Sequence, residues 1–117
     1  AIYFGYNVLI TGAKAILMTK EVSTNTQYGI INDFQNNFGD LFKYETPAEF
    51  LLEDTTPNSF KSLAFSINKF EPSEAFARYF IDTAAQFLQF VNQYREDQLH
   101  ENGEGIVLKE LTFGQDS

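Results

Sequence analysis

The feature that most constrains this chain is FARYFIDTAAQFLQFVNQY, residues 76–94, with six aromatic residues and only two charges, Arg78 and Asp82. Projected at 100° per residue, Phe76, Phe80, Phe87, Val91 and Tyr94 fall together. Tyr79 and Phe90 flank them on one side, and Ile81, Ala84 and Leu88 on the other. The apolar arc is roughly 200° wide, where a helix at the edge of a domain needs little more than ~100°. Such a helix is expected to be contacted on two sides, by other parts of its own chain or by a second chain.

The opposite side of that helix carries Arg78, Asp82, Gln86, Gln89, Asn92, Gln93 and Glu96. Solvated helix faces more often carry Glu and Lys paired at i,i+4. Neutral amides are desolvated at lower cost than charges, so they are tolerated at interfaces. Gln86, Gln89 and Gln93 are therefore the candidates for a helical interface, set against a core helix with an ordinary polar face.

The rest of the chain is read by the same periodicities. Ile2, Phe4, Tyr6, Val8 and Ile10 alternate with Tyr3, Gly5, Asn7 and Leu9, a period of two that predicts a strand with one buried face. Thr11 and Gly12 offer a turn, and AILMTKEV at 15–22 a second strand pairing back. A helix is expected over about 26–42, with Tyr28, Ile31, Phe34, Phe38, Leu41 and Phe42 on one side. Gly39 offers its stop. Thr46, Pro47 and Glu49 have the spacing of a capping box opening a short helix, which Pro57 stops. In residues 58–70, Leu63, Phe65 and Ile67 suit a strand, while Phe60, Leu63, Ala64 and Ile67 fit a helix face. The aromatic helix should run from about 72 to about 101, with Gly103 beyond it. GIVLKELTF at 105–113 reads as a final strand and 114–117 as a frayed tail.

The expected fold is a single α+β domain over 1–117: a three- to four-stranded, mainly antiparallel sheet covered by helices, with one long C-terminal helix before a final strand. A mainly helical fold is the alternative, should 13–22 and 58–70 be helices. At 117 residues one domain is the natural size, and such a domain buries roughly 65% of its unfolded surface.

Charge and composition narrow the function classes. The net charge is −8, which argues against nucleic-acid binding through a basic surface and against an anionic membrane. The acids concentrate in residues 33–60 and 82–104, while the first 32 residues hold only Lys14, Lys20 and Glu21. The chain has no Cys, which removes disulfides and thiol chemistry and points to the cytoplasm. No signal peptide or membrane span is legible.

The motifs of chemistry fail on inspection. Thr11, Gly12, Ala13 and Lys14 lack the spacing of a phosphate loop. Asp33, Gln35 and Asn37 alternate like a calcium loop, but Phe38 and Tyr44 occupy the Gly and Glu positions. His100, the only His, reads as a surface residue near a helix end. Ser and Thr have no base constellation to activate them. No catalytic, cofactor or metal residue is assigned.

Glu45, Glu49 and Glu53, spaced i,i+4,i+8 on an expected helix face, together with Asp54, make a candidate acidic contact surface for a basic partner. The reading is a small acidic protein that acts by protein–protein binding, of inhibitor, immunity, anti-defence or adaptor type. A homo-oligomeric assembly subunit and a small-molecule binder or pocket enzyme, with an aromatic pocket between sheet and helix, are the alternatives.

Overall fold

A computed structural model describes residues 2–52 and 56–102. Its elements are α1 (Ile2–Met18), α2 (Gln27–Phe38), a 3-10 turn at Ala48–Phe50, α3 (Phe60–Ser66) and α4 (Glu74–Asn102). Among the described residues there is no strand. The α+β expectation is thereby overturned, along with its antiparallel sheet. The strands expected at 2–10, 15–22 and 58–70 are helix and turn, and the one expected at 105–113 lies outside the described residues. The architecture is the helical one that the second reading of 13–22 and 58–70 carries.

The physical reason is plainest in α1. Its buried residues are Gly5, Leu9, Gly12, Ala13, Ile16 and Leu17, spaced at three and four as a helix requires. Gly5 and Leu9, which the alternation assigns to the exposed side of a strand, are buried. Two glycines and several β-branched residues are poor helix formers. What holds α1 helical is its packing on α4, the most extensive helix pairing in the molecule. A Cβ on Gly5 would lie 3.2 Å from the Phe80 ring, and one on Gly12 would lie 2.9 Å from the Phe87 ring. The glycines stand seven apart, as do the rings, so α1 and α4 run parallel in matched register. A parallel pair needs a long crossover, and residues 19–73 supply it with α2 and α3. α1 ends where Glu21 turns left-handed at φ 60° and the Val22 N–H donates to the Leu17 carbonyl at 3.0 Å.

α4 occupies Glu74–Asn102 where its periodicity places it. α1 covers one side of its wide arc, and rings from the crossover cover the other. Phe34 of α2 lies 4.5 Å, centroid to centroid, from Phe60 of α3 and 5.4 Å from Phe87. Phe42 lies 5.0 Å from Phe87 and 5.6 Å from Phe90. Phe50 meets Phe70, Phe76 and Tyr79, each at 5.3 Å. The second side is therefore covered from within the chain.

Local signals set the helix ends. The Thr26 hydroxyl caps α2 by accepting from the Gly29 N–H at 3.0 Å, and α2 stops at Phe38, before Gly39. Ser59 caps α3 by accepting from the Ser62 N–H at 3.1 Å, and Ser73 Oγ accepts from the Phe76 N–H at 3.1 Å at the head of α4. The box at Thr46–Glu49 yields no cap. Pro47 precedes a single turn that has no side-chain cap bond, and Thr46 instead pairs its hydroxyl with that of Tyr79 at 3.4 Å.

Candidate functional site

Every phenylalanine among the described residues except Phe4 sits in at least one ring pair. Phe4 is 72% exposed on the outer side of α1. It borders a groove of about 330 Å³ between α1 and α4. Gly12 and Val91 are buried in it, Val8 and Leu88 wall it, and Asn7, Thr11, Asn92 and Arg95 provide its polar rim. At its floor the bare α-carbon of Gly12 lets the two helices meet closely.

The outer side of α1 continues this surface. Phe4, Val8, Thr11, Ala15 and Met18 follow one another at steps of four, three, four and three, the spacing of a coiled-coil seam. Met18 is 63% and Leu88 45% exposed. α1 has no carboxylate, and Leu88, Asn92 and Arg95 add none. In a chain of 16 acids this is an acid-free apolar face, with Lys14 and Arg95 as its charges. Its components are visible in the sequence, but only once residues 2–18 are known to be a helix.

A second apolar hollow, of about 380 Å³, is formed by Ile2, Tyr3, Ile67, Phe70, Pro72, Phe76 and Ala77. It has no polar side chain beyond the Tyr3 hydroxyl to orient a ligand. Between the 42–50 segment and α4 lies a cluster of hydroxyls. The Tyr44 phenol donates to the Ser59 carbonyl at 2.7 Å, close to Tyr79 and Thr46. Burial pushes the Tyr44 phenol far up, and the neighbouring Tyr79 adds to it. Burial also raises Tyr79. Phenols so displaced are poor proton donors near neutral pH, and the cluster ties the crossover to α4.

The sequence candidates are scattered. Glu45 lies in irregular chain before the 3-10 turn and Glu49 inside it, both exposed, so they share no helix face. Glu53 and Asp54 lie outside the described residues. Gln86, Gln89 and Gln93 are exposed along α4, where Gln93 donates to the Asp97 carboxylate at 3.0 Å. His100 is exposed in the last turn of α4. Among the described residues no group of three His, Cys, Asp or Glu is placed to hold a metal ion, and no helix is long and apolar enough to cross a membrane.

No family model matches the chain, and neither the curated proteins nor the solved structures contain a significant match to it.

Proposed function

We propose that the protein acts by protein–protein binding, through the face shared by α1 and α4. The observation that carries this reading is the seam from Phe4 to Met18 beside Leu88, exposed at Phe4, Thr11, Met18 and Leu88, half-buried at Val8 and Ala15, and free of carboxylates in an acidic chain. Contiguous apolar patches rimmed by polar groups are what binding surfaces present, whereas single exposed apolar residues mean little. Against the pocket alternative, the apolar hollow at Phe70 and Phe76 has only the Tyr3 hydroxyl to orient a ligand. Gln86, Gln89 and Gln93 are turned roughly 100–160° round α4 from Leu88, among Asp82 and Glu96, and lie outside this face. A basic partner for Glu45 and Glu49, which are exposed but share no helix face, is the lesser reading, and a cytoplasmic setting belongs to the same proposal.

A photo-crosslinking amino acid placed in turn at Thr11, Glu49 and Gln86, with the chain expressed in its native host, tests the assignment. Protein adducts at Thr11 that are absent from Glu49 and Gln86 support it. Adducts only at Glu49 or Gln86 move the contact to those surfaces, and no adducts at any position remove the binding reading.

A further inference from the structure

Building on the binding reading, we propose that the partner at this face is a second copy of the same chain, its α1 crossing the first antiparallel near Thr11. Phe4 and Met18 stand seven residues to either side of Thr11, with Val8 and Ala15 between. The seam is bulky at its ends and small near its middle. A two-fold axis beside Thr11 sets Phe4 of one copy against Met18 of the other, and the small central residues let the helices approach. This is a closed, self-complementary contact of the kind that ends at a dimer.

Charge selects the same face. Each chain carries −8, so two copies repel unless they meet where carboxylates are missing. α1 has none, and the α4 residues beside it contribute Asn92 and Arg95. Contact through the 33–52 surface instead would appose Asp33, Asp40, Glu45 and Glu49 with their copies.

The area fits a weak dimer. From Phe4 to Met18 the seam is roughly 21 Å long at ~1.5 Å per residue, and α1 and α4 side by side are roughly 20 Å wide. The footprint of roughly 420 Å² per partner lies below the ~600 Å² of stable specific interfaces and among transient ones. A dimer of that size dissociates on dilution.

Light scattering after size exclusion, on the full chain over a wide concentration series, is the test. The expected mass rises from 13.4 kDa to twice that value as concentration increases. Phe4→Glu should hold the monomer mass at every concentration, with an unchanged helical circular dichroism spectrum because Phe4 is exposed. The chain has no cysteine, so Thr11→Cys treated with diamide should give a disulfide-linked dimer, and Gln86→Cys should not. A constant monomer mass overturns the proposal, as does a dimer that Phe4→Glu leaves intact. If the chain stays monomeric while Thr11 crosslinks a different protein, the second-copy assignment fails and the binding face stands. If Thr11 crosslinks neither, both fail.

Discussion

The Phe87 ring rests against the bare α-carbon of Gly12: a Cβ there would lie 2.9 Å from Phe87 Cε2 and 3.0 Å from Val91 Cγ2. Phe87 cannot retreat, because Phe34, Phe42 and Phe60 surround it at 5.4, 5.0 and 4.9 Å.

Gly12→Ala should therefore destabilise the protein. Alanine gains about 1 kcal/mol in helix propensity, but overpacking costs about 1–3 kcal/mol. The rigid ring places this site at the upper end, for a net loss of about 1–2 kcal/mol. Gly5→Ala is the milder case, since its Cβ would meet the flexible end of Ile81 at 3.0 Å and the Phe80 ring only at 3.2 Å, so the smaller overpacking offsets the gain in propensity. It should be close to neutral. Urea unfolding of the two variants checks the difference, and equal stabilities would show that α1 can drift on α4.

Gln35 links two helices. Its side-chain carbonyl accepts from the Lys61 N–H in the first turn of α3 at 3.0 Å. Gln35→Ala removes that acceptor and should cost about 1 kcal/mol. Gln35→Glu retains an acceptor and adds negative charge at a helix start, so thermal denaturation should show its stability restored. Loss in both variants would assign the effect to packing.

Glu21 is left-handed at φ 60° after α1, a conformation that costs a side chain about 1 kcal/mol and suits glycine. Glu21→Gly should raise stability by about 0.5–1 kcal/mol in urea unfolding. Glu21→Ala should not, because alanine carries the same Cβ.

Alkaline pH should unfold the chain chiefly through the buried Tyr44, with smaller contributions from the half-buried Tyr79 and Tyr6. Tyr44, Tyr79 and Tyr6 all have raised pKa values, each chiefly through burial. Their neutral forms are favoured in the folded state, so stability is flat below about pH 10, where unfolded tyrosine ionises. Above it the unfolded chain binds fewer protons, and stability falls by up to about 1.4 kcal/mol per pH unit for each fully shifted tyrosine. Tyr44→Phe should flatten that fall while lowering stability at neutral pH by about 1–3 kcal/mol, since the Ser59 carbonyl loses its donor. Urea unfolding from pH 7 to 11 reads both effects, and an unchanged slope in the variant would remove Tyr44 from the account.

The sequence makes α4 and the apolar side of α2 legible because each repeats one period over many turns. It misleads at residues 2–10, which satisfy two periods at once: Ile2 and Tyr6 belong to a strand face and a helix face alike. Gly5 and Gly12 resemble an interruption and a turn, yet they are contact points, and only the rings of Phe80 and Phe87 on a distant segment reveal it. In residues 58–70 the helix face through Phe60, Leu63 and Ala64 wins because Phe34 and Phe87 are there to receive Phe60. The candidate face suffers from the same ambiguity. Its seam has regular spacing on α1, but Leu88 joins it only through tertiary packing, and the acidic spacing of Glu45 and Glu49 loses its meaning where the helix shrinks to one turn.

The parallel pairing of α1 with α4 bears on how the chain is made. α1 leaves the ribosome before α4, and the last residue of its mate, Asn102, is joined 84 residues after Met18. At ~5–20 residues per second that interval is roughly 4–17 s. For most of it α1 can pack on α2, but Gly5 and the cleft at Gly12 lack the rings they receive. Local collapse of α2 and α3 cannot relieve this, because the missing surface is Phe80, Phe87 and Val91. Synthesis thus holds α1 open until nearly all of α4 exists, and a stall within residues 19–73 would leave an unpaired apolar helix for chaperones to shelter.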